Sequence, residues 1–253
     1  MEDLDPPREQ PGAARGILNS LEAHGLEWDG DVLWQSTRAP AYDQLIATLL
    51  DSGMAFRCDC SRAQLTASGG VYNGRCRNRQ LSAECEHAVR VAVKHSPRLR
   101  IDDQIQPALE QALATEVGDF VIRRRDGLTA YQLAVVVDDA EQGVTHVVRG
   151  SDLYDSTPRQ VYLQHVLGFS TPHYAHIPVM TNAQGQKLSK QTHAAALENH
   201  EAASNLRRAL QFLRQPAPPA QQRSCKTILT WALEHWSPDA VPARMGIPES
   251  ASG

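Results

Sequence analysis

"GDFVIRRRDGLTAYQLAVVVDDAEQGVTHVVRGSDL" (118–153) alternates a β-type run, an apolar run at helical spacing and a second β-type run, with Gly127 and Gly143 as punctuation. Strand, helix, strand in that order points to an α/β architecture. Downstream, Thr157, Pro158 and Gln160 read as a capping box with proline at the first helical position, opening a helix to about Leu167. "HIPVM" (176–180) reads as a strand and "NAQGQ" (182–186) as a turn. Two further helices, at about 201–213 and 224–236, flank the proline-rich "QPAPPA", and the tail beyond Trp236 has little apolar pattern and is expected to be loose.

Upstream, a helix over 14–23 carries Ile17, Leu18 and Leu21 on one face, with Gly25 as its C-cap and Leu26 beyond. "VLWQS" (32–36) is a short strand candidate. Tyr42, Leu45, Ile46, Leu49 and Leu50 mark a second helix between Pro40 and Gly53, and "MAFRCDC" (54–60) reads as a strand delivering two cysteines into a loop. Residues 61–118 are loop-rich, with short β-type runs at 89–93 and 98–103, as expected of an insertion.

At 253 residues, with 42% hydrophobic and 21% charged residues, the chain has the composition of an ordinary soluble globule. Its longest apolar runs fall far short of a membrane span, and no basic-then-apolar segment opens it, which makes a cytoplasmic address the default. A formal net charge of −4 excludes a broad electrostatic grip on nucleic acid and leaves room only for local basic patches.

Two motifs carry chemistry. Cys58, Cys60 and Cys76 lie in one short loop segment, and three thiolates can close most of a tetrahedral zinc site. Tyr72, Cys85 and His87 are the candidates for a fourth ligand; general chemistry favours Cys85 or His87, because a phenol must give up a high-pKa proton. No H-x-E or H-E-x-x-H pattern accompanies the cluster, so its zinc reads as structural rather than catalytic. "QGQKLSKQTH" (184–193) places Lys187 and Lys190 beside Ser189 in a polar loop after a strand, an arrangement suited to neutralising a triphosphate. There is no G-x-x-x-x-G-K-[ST] loop, so a nucleotide site would need another architecture.

"KLSKQ" (Lys187, Leu188, Ser189, Lys190, Gln191) resembles the KMSKS signature of class I aminoacyl-tRNA synthetases. The stretches "YQLAVVVDDAEQGVTHVVRGSDL" and "STPRQVYLQHVLG" resemble the catalytic domain of the glutamyl-tRNA synthetase family. "CDCSRAQLTASGGVYNGRC" is similar to the zinc loop of its glutamyl-queuosine tRNA(Asp) branch, which lacks the anticodon-binding region. The resemblance, which runs from Glu2 to about Thr192, implies a Rossmann-like class I nucleotide-binding fold with a zinc-binding insertion and C-terminal helices. The segments expected are 1–57 (the remaining N-terminal half of the nucleotide-binding fold), 58–118 (the zinc insertion), 119–192 (the second half, with the KMSKS-like loop) and 193–253 (the C-terminal helices and tail).

Motif by motif, the resemblance implies zinc ligands at Cys58, Cys60, Tyr72 and Cys76, overruling the chemical preference for Cys85 or His87. It implies L-glutamate contacts at Glu2, Tyr131 and Arg149, with Arg149 forking onto a carboxylate and Glu2 and Tyr131 holding the α-ammonium. Lys187 and Lys190 become the catalytic lysines, Lys190 contacting ATP, with Mg²⁺ accompanying the nucleotide. The implied partners are ATP, L-glutamate and tRNA(Asp), with neither DNA nor a membrane involved. The arginines of "RCRNR" (75–79) and "RRR" (123–125) are candidates for RNA phosphate contacts. The competing readings are a fragment of an ordinary glutamyl-tRNA synthetase and a zinc-containing tRNA-binding paralogue without catalysis.

In this family "EDLDPPR" (2–8) ends the second strand, after a first strand, a glycine-rich turn with the HIGH motif and a helix. No equivalent stands in the 253 residues: "HYAH" (173–176) lacks the glycine and leads into a strand. The chain as it stands is therefore expected to be inactive, and unstable because neighbouring strands lose a buried partner.

Overall fold

The computed structural model describes residues 1–66, 71–189 and 196–249. The helix expected near the N-terminus is α1 (Ala13–Ala23). It closes as anticipated: Gly25 takes a positive φ of 70°, its amide reaches Glu22 O, and the Leu26 amide reaches Leu21 O. The strand expected at 32–36 does not form. A 3-10 turn over Gln35–Arg38 runs straight into α2 (Ala39–Asp51). The buried carboxylate of Asp138 gives the reason, because it accepts from Gln35 Nε2 (2.8 Å), Arg38 Nε (2.7 Å) and Tyr42 OH (2.7 Å). These side chains converge on one point only from helical turns.

β1 (Ala55–Cys58) follows, then the short helix α3 (Arg62–Thr66), β2 (Ala88–Val91), β3 (Leu99–Ile101), β4 (Leu109–Gln111), α4 (Leu113–Glu116) and β5 (Phe120–Arg123). α5 (Tyr131–Glu141), β6 (His146–Gly150), α6 (Thr157–Leu167), β7 (His173–Ile177) and β8 (Val179–Thr181) complete the central part. The strand–helix–strand pattern of 118–153 is present as β5–α5–β6, but its two strands belong to different sheets. β5 joins an antiparallel sheet of order β1–β2–β5, while β6 pairs in parallel with β7 across the α6 crossover. The expected strand at 176–180 is split by Pro178, which donates no ladder hydrogen bond, into the ends of β7 and β8.

One apolar cluster ties α2, the antiparallel sheet, α5 and α6 together through Tyr42, Ile46, Leu49, Val91, Ile122, Leu133 and Leu163, each no more than 1% exposed. At C-terminal positions, α7 (Ala202–Phe212) and α8 (Cys225–His235) pack on each other, and Asn205 reaches His24 at the end of α1. The described part of the tail, through Glu249, is not loose. β9 (Gly246–Pro248) pairs in parallel with β8, and Val241 and Ile247 are buried, so two apolar residues suffice to dock a stretch with no visible periodicity. Among the described residues no helix is long and apolar enough to cross a membrane.

Candidate functional site

β6 ends at Arg149 and Gly150, and β7 runs beside it with His176 opposite Arg149. The carboxyl ends of adjacent parallel strands are where open α/β sheets bind ligands. Arg149 is held there by acceptors on three sides. Its Nε donates to His176 Nε2 (3.0 Å), and its Nη2 donates to Thr157 Oγ1 (2.9 Å) and Gln160 Oε1 (2.7 Å). Its Nη1 lies 3.5 Å from the hydroxyl of Tyr131, the first residue of α5. The guanidinium sits over the Tyr174 ring at 5.3 Å. Arg149 and Tyr131 thus meet across the β6–α5 junction, although they are separated by a helix and a turn in sequence.

Thr157 and Gln160 do not form a capping box. No side chain caps α6, because a 3-10 turn over Ser151–Ser156 precedes it and the Thr157 amide donates to Tyr154 O. Both side chains turn instead to Arg149. Glu2 is exposed and within reach of the Arg149 charge; the protein mass crowding it raises its carboxyl above the ordinary range, and the N-terminal ammonium and Arg149 pull it back down. Asp139 on α5 is pushed up to about 6, chiefly by burial and further by Asp138 and Glu2, against the pull of Arg149. The site therefore offers one guanidinium, a phenol and a pair of carboxylates: an anion seat beside a cation seat.

A carboxyl group raised from 3.8 to about 6 by folding favours the folded state at low pH. That favour is lost as pH rises through 6. Asp139→Asn is accordingly expected to be more stable than the parent by about 1–3 kcal/mol at pH 7 and equal to it at pH 4. Urea unfolding at the two pH values measures this.

The loop that begins with Lys187 lies at the same end of β6. Lys187 Nζ donates to Asp152 Oδ2 at 2.5 Å, Leu188 N donates to Met180 O, and Asp152 follows Arg149 by three residues. Leu188 and Ser189 are described, whereas Lys190 and Gln191 lie outside the described residues.

The second cluster is the cysteine loop. The Sγ atoms of Cys58, Cys60 and Cys76 lie within 4.8 Å of one another. Cys60 and Cys76 are 3.5 Å apart, and the Tyr72 hydroxyl is 3.5 Å from Cys58 and 3.9 Å from Cys60. A tetrahedral zinc with thiolate ligands spaces them about 3.8 Å apart, so the donor set fits such an ion. Cys85 is exposed and His87 half-buried, and neither belongs to this group; the oxygen beside the thiols is that of Tyr72. Burial works to raise the Cys58 thiol, but hydrogen bonds from Tyr72, the Cys60 amide and Arg90 outweigh it, leaving Cys58 below its ordinary value. The Cys60 thiol is pushed up to about 11 by burial first and by its bond to Cys76 next. A bound cation would take both as thiolates and would have to displace the Cys60 proton that burial retains.

Three arginines build this loop. Arg77 forks onto the buried carboxylate of Asp119 (2.6 and 2.8 Å), and Asp119 also accepts from the Val93 amide. Arg90 donates to the Asp119 carbonyl and lies over the Tyr72 ring at 4.4 Å. Arg79 forks onto Asp59. Of the runs proposed for RNA phosphates, Arg75 is exposed, whereas Arg77, Arg79, Arg123, Arg124 and Arg125 have protein acceptors. Each of the five has a partner 20 to 119 residues away in sequence, beside the local Arg79–Cys76 and Arg124–Asp126 bonds, which is why the runs look free when read linearly.

Gly118 (φ +74°) lets the chain pass Tyr72, and an added Cβ would stand 2.6 Å from Tyr72 N and 2.9 Å from its carbonyl oxygen. Gly118→Ala is expected to cost about 2 kcal/mol or more and to displace Tyr72. Faster loss of zinc to a colorimetric chelator than in the parent is the result that checks it.

Compared with known proteins, residues 1–215 match the family described as tRNA synthetases class I (E and Q), catalytic domain. The chain is similar to the glutamyl-Q tRNA(Asp) synthetase of Pseudomonas entomophila, with 51% identity covering 99% of this chain and 84% of that protein. It is similar to the enzyme of that name from Neisseria meningitidis serogroup C, with 49% identity over 98% and 86% of the two chains. A solved glutamate tRNA ligase from Elizabethkingia meningosepticum, in complex with its amino acid, shares the fold with a TM-score of 0.78 and 21% identity. That comparison covers 99% of this chain and 60% of the other.

Proposed function

We propose that this chain, which belongs to the family of class I tRNA synthetases (E and Q) through their catalytic domain, activates L-glutamate with ATP and transfers it to the queuosine base of tRNA(Asp). It is a ligase of the class I synthetase fold. The observation that carries the reading is Arg149 held beside Tyr131 at the ends of β6 and β7, in a chain half identical to glutamyl-Q tRNA(Asp) synthetases. Arg149 would fork onto a substrate carboxylate, with its rear edge already bound by protein acceptors and its Nη1 edge facing Tyr131. Glu2, with Asp139 behind it, would hold the α-ammonium.

In the first step the α-carboxylate of glutamate attacks the α-phosphate of ATP, forming glutamyl-adenylate and releasing pyrophosphate. Lys187 and Lys190 offset the charge developing on the phosphates, a task that Mg²⁺ shares when it arrives with ATP. Asp152 keeps Lys187 at the strand ends until the nucleotide replaces it as partner. In the second step the activated glutamyl group passes to queuosine in the anticodon loop. Cys58, Cys60, Tyr72 and Cys76 would hold a structural zinc that closes the insertion, and the work belongs to the cytoplasm.

The test is glutamate-dependent ATP–pyrophosphate exchange, run on this chain and on a version extended through the upstream in-frame codons. Exchange that needs glutamate, in either form, supports the reading. Exchange by neither, with zinc and tRNA bound, overturns it in favour of a binding module.

A further inference from the structure

Asp103 stands in the loop after β3, 73 residues before His176, and both side chains are completely buried. Its Oδ1 accepts the amides of Ile105 (3.0 Å), Gln106 (2.8 Å) and His176 (3.1 Å), and its Oδ2 accepts from His176 Nδ1 at 2.6 Å. Burial works to raise the Asp103 carboxyl, yet these donors outweigh it and hold it below its ordinary value. An ionised carboxylate only accepts, so the imidazole proton resides on Nδ1 and the Nε2 lone pair points the other way. That lone pair meets Arg149 Nε at 3.0 Å and Thr157 Oγ1 at 3.2 Å. Burial first, and Arg149 in addition, keep His176 below its ordinary value against the opposing pull of Asp103, which favours the neutral ring.

We propose that Asp103 and His176 are positioning residues for Arg149, fixing the plane of its guanidinium and keeping its charge available for a substrate carboxylate. The claim rests on reading the Arg149 pocket as the glutamate site. Every acceptor on the rear edge of Arg149 is neutral: imidazole, threonine hydroxyl and glutamine amide. A carboxylate placed directly on that edge would compete with the substrate for the same charge. A neutral imidazole orients the fork without that competition, and the ring separates the compensating Asp103 charge from the guanidinium. Two of the three backbone amides that clamp Asp103, those of Ile105 and Gln106, lie in the loop after β3, so that loop reaches Arg149 through this pair.

Three variants and one spectrum test it. His176→Phe fills the volume without an acceptor and is expected to raise KM for glutamate about tenfold or more in pyrophosphate exchange, with KM for ATP within about twofold of the parent. His176→Gln, whose Oε1 can reach the Nε2 position, is expected to restore KM for glutamate to within about threefold. Asp103→Asn frees the ring to take the other tautomer and is expected to fall between them. Equal losses in the Phe and Gln variants, or parallel changes in both KM values, would mean that the pair only supports the fold and would overturn the proposal. Long-range ¹H–¹⁵N spectra of the parent at neutral pH are expected to show Nε2 of His176 without a proton. A proton there overturns the proposal whatever the enzyme turns over. If neither this chain nor its extended form shows glutamate-dependent exchange, the substrate reading falls instead, and the spectrum alone decides the positioning claim.

Discussion

Arg149→Lys is expected to lower kcat/KM for glutamate by about 10²–10³-fold, mostly through KM, while KM for ATP changes by less than about threefold. Lysine keeps the charge but has no fork. It cannot donate at once to His176, Thr157 and Gln160, as Arg149 does, and still present a second edge beside Tyr131. The acceptors left behind are buried, with Gln160 and His176 each no more than 1% exposed, so the variant also loses their hydrogen bonds. Pyrophosphate exchange with glutamate and ATP varied separately reads the split. Equal changes in the two KM values would point to general damage rather than a substrate contact.

The largest stability effect is expected at Asp119→Ala. Asp119 is 1% exposed and receives two hydrogen bonds from Arg77 and one from the Val93 amide. Removing it strands a guanidinium that is 22% exposed and orphans a backbone donor. Breaking a buried pair by deleting one partner costs about 3–5 kcal/mol. Because Arg77 follows Cys76 directly, the loss is expected to fall on the cysteine loop, lowering zinc content as well as the urea midpoint. Asp119→Asn, which keeps the acceptor oxygen but not the charge, should fall between parent and alanine in both measurements.

The parts of the fold legible in the sequence are those where an apolar stripe and its stop signals agree. α2 (Ala39–Asp51) has Pro40 in its first turn, stops just before Gly53 and buries Tyr42, Ile46 and Leu49, and α1 stops just before Gly25. Local chemistry misled where tertiary partners outbid it. Thr157 and Gln160 have the spacing of a cap, but a preceding 3-10 turn already satisfies the helix start, which frees both side chains for Arg149. Gln35 stands in a β-type run, but Asp138 draws it into a turn. Sheet membership was not legible either, because periodicity identifies β5 and β6 as strands without saying that β5 turns to β2 and β6 to β7.

The candidate site divides in the same way. Tyr131, Arg149 and the cysteines stand in motifs that can be matched in line. Asp103 and His176 stand in none, since their partnership spans 73 residues and exists only once the insertion folds against β7. "HYAH" was set aside as a nucleotide motif, and its last residue proves to be the neighbour of Arg149. A histidine opening the "HIPVM" run, directly before an isoleucine–proline step, was the one visible signal.

The central claim is that the activated glutamyl group goes to queuosine. It is tested by incubating the exchange-competent form of the protein with labelled glutamate, ATP and three RNAs: tRNA(Asp) containing queuosine, the same tRNA lacking it, and tRNA(Glu). The account predicts label on the first alone, recovered in the anticodon-loop fragment after nuclease digestion and absent from the 3′-terminal fragment. Label at the 3′ end of tRNA(Glu), with none in the anticodon loop of tRNA(Asp), would contradict it.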